Sequence, residues 1–147
     1  MGWQFLDAAE RDALAAPPEA LAPTTSAIRE TAPPYATAAF DRLSPADRRT
    51  VAIFKRHLAE FCRPQAVRVF GSRARGEATW ESDLDIFIVL DTVTPDIRRR
   101  IGELAWEVGF AAGLVITPLV VARDDLENGP LAASPLIARI EAEGVPV

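Results

Sequence analysis

The sequence holds one cysteine, Cys62, and one histidine, His57. A single thiol excludes an intrachain disulfide and a thiol-rich metal site, and a lone imidazole excludes a histidine metal cluster. Both fall near the end of a predicted helix, where packing or solvation accounts for them. Lysine is nearly missing as well: Lys55 is the only one, so arginine carries almost all of the positive charge. Acids still outnumber bases. The net charge of −5 and the pI of about 4.9 argue against a broad basic face, and so against strong nucleic-acid binding. No uninterrupted apolar run is long enough to cross a bilayer, and no basic stretch followed by an apolar segment opens the chain. The expected setting is cytoplasmic, without a membrane partner.

What is present suits one core. In 147 residues, 49% are apolar and 25% charged, which supports one compact domain plus an arm. The composition divides the chain into an Ala/Pro-rich extension or arm over residues 1–43 and a domain over residues 44–147. Residues 4–16 predict a short amphipathic helix with Phe5, Leu6, Ala9 and Leu14 available for packing, ended by Pro17-Pro18. Pro23 and Pro33-Pro34 make residues 17–37 extended or irregular. The extension reading is favoured; the alternative is an arm that docks on a partner, or on a second copy, through Trp3, Phe5, Tyr35 and Phe40.

The chemistry concentrates in residues 67–90. An alternating strand, Val67-Arg68-Val69-Phe70, runs into Gly71-Ser72-Arg73-Ala74-Arg75-Gly76. A second strand opens with Asp83-Leu84-Asp85 and becomes continuously apolar from Ile86 to Leu90. Side chains two apart on a strand share a face, so Asp83 and Asp85 should project together. Two carboxylates about 5 Å apart repel by roughly 3 kcal/mol at an effective dielectric near 20, which calls for a cation between them. Mg²⁺ fits, because it takes hard oxygen ligands from one or two carboxylates and fills its shell with water and phosphate oxygens. Gly71 permits a sharp turn, Ser72 offers a hydroxyl and an N–H, and the residues after it can open a helix whose first amides attract anions. Arg73 and Arg75 add donors suited to phosphate oxygens.

Together, Gly71-Ser72-Arg73-Ala74-Arg75-Gly76 and Ser82-Asp83-Leu84-Asp85 resemble the signature of the DNA polymerase beta-like nucleotidyltransferase superfamily. The likeness is greatest to its small, stand-alone minimal nucleotidyltransferase (antitoxin-like) branch, and it covers about residue 44 to the end. It implies a nucleotidyltransferase fold in which Gly71, Ser72, Arg73 and Arg75 hold the phosphates of a nucleoside triphosphate. Asp83 and Asp85 would carry Mg²⁺ (or Mn²⁺) as an acceptor hydroxyl attacks the α-phosphorus. The family's third acid normally sits on the next strand, where this chain shows Thr117. Asp124 and Asp125 follow too late to lie in that strand, unless a loop folds back. The resemblance also implies a partner, often a small all-helical HEPN-type protein in a toxin–antitoxin pair, sometimes modified with AMP.

Ser44-Pro45-Ala46-Asp47 starts a helix with Val51, Phe54, Leu58 and Phe61 on its apolar stripe. Thr94-Pro95 starts another, with Ile97, Ile101, Leu104, Val108 and Ala111 on one face and Gly113 as its cap. Arg98-Arg99-Arg100 spread around its axis and read as a solvated face. Residues 114–121 form a strand that Pro118 assigns to an edge, which another chain could cover. Asn128-Gly129-Pro130 predicts a turn, and Ser134-Pro135 a last helix through about Glu143. The order gives an α/β (α+β) class, a small mixed β-sheet with packed helices. Two functions follow. The first is a Mg²⁺-dependent transferase of a nucleoside monophosphate, AMP from ATP, to a hydroxyl of a partner protein. The second is a catalytically degenerate binding module that neutralises a helical partner by contact.

Overall fold

A computed structural model describes residues 4–16 and 41–147. The expectations for Trp3, Tyr35, Phe40 and residues 17–37 lie outside the described residues. Among those described there are five α-helices and four strands: α1 (Ala8–Ala15), α2 (Pro45–Leu58), β1 (Ala66–Phe70), β2 (Leu84–Leu90), α3 (Pro95–Ala112), β3 (Ile116–Ala122), α4 (Arg123–Glu127), α5 (Pro135–Glu143) and β4 (Val145–Pro146). The sheet runs in the order β3-β2-β1-β4. β1 is antiparallel to β2 and to β4, and β2 is parallel to β3, so the sheet is mixed as expected.

Local chemistry sets the helix ends. Ser44 accepts the Asp47 amide at 3.0 Å and Thr94 the Ile97 amide at 3.1 Å, each ahead of a proline in the first turn. α3 stops at Gly113, whose φ of 74° lies in the left-handed region that a Cβ disfavours. The Leu114 amide still bonds the Gly109 carbonyl at 2.9 Å, which is why β3 begins at Ile116 and not at residue 114.

β2 is covered on both sides, which explains its continuous apolar run. Leu84, Ile86, Ile88 and Leu90 share a core with Val51, Phe54 and Leu58 of α2 and with Ile101, Leu104 and Val108 of α3. Phe87 and Val89 face the other way, against Ile137 and Ile140 of α5. Fully burying a side chain such as Phe54 or Leu58 contributes about 1.5 to 3 kcal/mol. Asp85 has the parity of Phe87, so it lies at the α5 face of the sheet.

Three features go beyond the sequence reading. Residues 4–16 are part of the core: Leu6, Leu14 and also Leu43 are buried in the larger cluster. α1 carries a capping box between Asp7 and Glu10. The buried carboxylate of Glu107 on α3 accepts the amides of Gln4, of Phe5 at 2.7 Å and of Leu6 at 3.1 Å. The turn expected over residues 128–130 is flanked by α4 and by a 3₁₀ turn at Pro130–Ala133. β4 was not foreseen; Val145, fully buried, pairs with Val69.

Candidate active site

The site forms where β1 ends and β2 begins. Phe70 pairs with Asp85 in the antiparallel ladder, so the turn after β1 starts beside that carboxylate. Gly71 has a φ of 77°, and the Asp85 carboxylate occupies the space that a Cβ at Gly71 would need. Glycine is required there twice, by conformation and by contact. The chain then makes one helical turn: the Arg75 amide bonds the Gly71 carbonyl at 3.2 Å. It closes at once, with the Gly76 amide on the Arg73 carbonyl (3.4 Å), the Glu77 amide on the Ser72 carbonyl (2.9 Å) and Gly76 at φ 73°. That is a Schellman ending, so the helix expected after Ser72 is a single turn. The amides of residues 72–74 come before its first closed bond, and half-buried Ser72 leads it.

The two arginines of the turn have different tasks. Arg73 donates from Nε (3.0 Å) and Nη2 (2.6 Å) to the Ser82 carbonyl, and from Nη1 (2.9 Å) to Asp47 Oδ1 on α2. Both members of this ion pair are buried. The expectation that Arg73 is a phosphate ligand therefore meets a guanidinium turned to brace the turn, the loop before β2 and the start of α2. Arg75 is exposed and pairs with Glu77 at 3.0 Å, with Glu143 of α5 at 3.9 Å.

Asp83 is exposed just ahead of β2, and Asp85 is half-buried within it. Burial pushes the Asp85 carboxyl above its ordinary range, and the neighbouring Asp83 pushes it further, while Arg73 and Arg75 pull it down. The parallel register sets Thr117 of β3 across from Asp85, and Thr117 Oγ1 stands 3.5 Å from Asp83 Oδ2. Thr117 thus occupies the third-strand position facing the acid pair. Asp124 and Asp125 do not fold back to it. They lie on α4, beyond the Ala122 that pairs with Leu90, at the opposite end of β2 from Asp83.

A family model described as the nucleotidyltransferase domain matches residues 51–142, more than half of the chain. The chain belongs to that family. Among curated proteins and among solved structures, none matches it. The matched region of this nucleotidyltransferase domain contains the turn, both aspartates and Thr117. Among the described residues, no three or more His, Cys, Asp or Glu side chains gather as a metal site. The donor set is then two carboxylates held together at a cost in repulsion. It fits one hard divalent cation that completes its shell with water and phosphate oxygens, and lacks the ligands for a second.

Sequence reasoning missed Asp47 as the partner of Arg73. Asp47 was visible as the acid three residues into α2, but nothing local links it to an arginine 26 positions away.

Proposed function

We propose that the chain is a divalent-metal-dependent nucleotidyltransferase that moves a nucleoside monophosphate, AMP from ATP, to a hydroxyl acceptor on a partner protein. The observation that carries this reading is the Asp85 carboxylate, set against the Gly71 turn and beside a second acid, where burial and the like charge outweigh the pull of Arg73 and Arg75. Asp83 and Asp85 would hold Mg²⁺ or Mn²⁺ at the mouth of the turn. The bound ion would supply charge neutralisation on the phosphate oxygens. Ser72 and the amides of residues 72–74 hold the terminal phosphates, and the exposed Arg75 offers further donors. Arg73 keeps the turn in shape. The acceptor oxygen bonds to the α-phosphorus as the bond between the α-phosphorus and the bridging α–β oxygen breaks; pyrophosphate leaves and the hydroxyl proton passes to solvent.

A small helical protein, HEPN-type in the branch this chain resembles, is the proposed acceptor. The exposed apolar surface of Trp106, Phe110 and Val115 supports a protein partner. Thr117 favours a second reading, since a neutral hydroxyl cannot take the place of a base or bind a second cation strongly. In that reading the domain is a contact antitoxin. One experiment decides: incubation of protein and partner with labelled ATP and Mg²⁺. Transfer that vanishes in Asp83→Asn and in Asp85→Asn supports the transferase. A partner that stays unlabelled yet is inhibited equally by wild type and both variants supports the contact reading.

A further inference from the structure

A cavity of about 340 Å³ opens beside α1, α2 and α3, and neither acid of the pair lines it. Its described wall is built from the end of α1, the first turns of α2, the α3–β3 junction and Trp80 of the loop before β2. It holds one unusual group. The Nε and Nη1 atoms of Arg49 are buried with no hydrogen-bond partner among the described residues. Only Nη2 is engaged, donating to the Ala16 carbonyl at 3.3 Å. Leaving buried guanidinium donors unmatched is among the costlier arrangements a fold tolerates, because the charge has lost water and gained nothing in return. Burial accordingly pushes the Arg49 guanidinium below its ordinary value.

The charges around it do not resolve the mismatch. The described wall contains three charged side chains, Arg49, Arg73 and Asp47. Asp47 is already matched by Arg73 at 2.9 Å, both buried. Arg49 is the surplus cation. Nearby stand the Ser44 and Thr50 hydroxyls, which already serve the backbone at Asp47 and Ala46. At the mouth stands Trp80, 85% exposed, an indole left in water beside a polar cavity. The unmatched charged donors of Arg49 select an oxyanion, and an uncovered indole face selects a flat or apolar body attached to it. The volume is that of a small-molecule site.

We propose that this cavity is a binding site for a small organic oxyanion, its phosphate or carboxylate group on Arg49 and its apolar body on Trp80. Its ligand contacts are Arg49 and Trp80 and not the acid pair, so it needs no divalent cation. Titration calorimetry with phenyl phosphate and benzoate, in EDTA, on an Asp83→Asn/Asp85→Asn background, tests it and tells the two oxyanions apart. One site is expected on the full chain. Arg49→Gln is expected to weaken binding by at least about tenfold, the scale of a charge-assisted hydrogen bond. Arg49→Lys, which keeps the charge and loses the planar set of donors, should fall between. In Trp80→Ala, phenyl phosphate should bind no better than inorganic phosphate. Absence of binding by both probes, or binding that Arg49→Gln and Arg49→Lys both leave unchanged, overturns the proposal. Because the acids are removed and metal is chelated, its failure is distinct from failure of label transfer.

Discussion

Two carboxylates of this chain are treated in opposite ways. Glu107 is buried on α3 and receives three backbone amides, so its charge is matched and the segment before α1 is fastened to the core. Asp85 is half-buried on β2, beside Asp83 and against a glycine, where burial and a like charge both disfavour ionisation. A matched acid holds the fold together. An unmatched one stores a demand that a ligand can meet, which is how functional sites trade stability for use.

That contrast can be broken by substitution. The largest stability effect is expected at Glu107: Glu107→Gln leaves amides of residues 4–6 short of an acceptor and should lower unfolding free energy by about 2 to 3 kcal/mol in urea titration. Gly71→Ala comes next. It puts a Cβ at positive φ, at a cost of about 1 to 2 kcal/mol, and displaces the Asp85 carboxylate, so thermal melting and Mg²⁺ affinity should both fall. Asp85→Asn should do the reverse for stability. Without divalent ions it should melt at or above wild type near neutral pH, while the gain in melting temperature expected on adding Mg²⁺ to the wild type should be absent.

The smallest effect is in pH. The native Asp85 carboxyl holds its proton more tightly than the unfolded chain does, so metal-free stability falls as pH rises from the ordinary carboxylate range through the raised native value. Mg²⁺ affinity runs the other way, weakening by about tenfold per unit as pH drops below that value, since ion and proton compete. Melting curves across pH for wild type and Asp85→Asn check both signs; the variant should flatten this component.

Much of this was legible because it is local. Ser44-Pro45 and Thr94-Pro95 announce helix starts, Gly113 announces a stop, and the alternation of residues 67–70 followed by a two-sided apolar strand announces the sheet. The turn and acid pair lie within fifteen positions of each other, from Gly71 to Asp85, so spacing alone joins them. What escaped is long-range. Asp47 meets Arg73, Glu107 meets the backbone of residues 4–6, and Glu10 meets His57 at 2.9 Å across 47 positions. Each pairs residues whose neighbours give no hint. β4 escaped because two residues are too few to show a period, and only its ladder with β1 defines it.

Pro118 has a consequence beyond marking the edge of the sheet. The Leu84 amide bonds the Val115 carbonyl at 2.8 Å, so alternation along β3 turns the backbone of odd-numbered residues toward β2 and that of Pro118 outward. The outer border of β3, which no strand pairs with among the described residues, therefore lacks a donor midway along its length. A stray strand stacking there would meet an interrupted row, which disfavours edge-to-edge self-association, while at the opposite edge β4 offers only two residues to pair with.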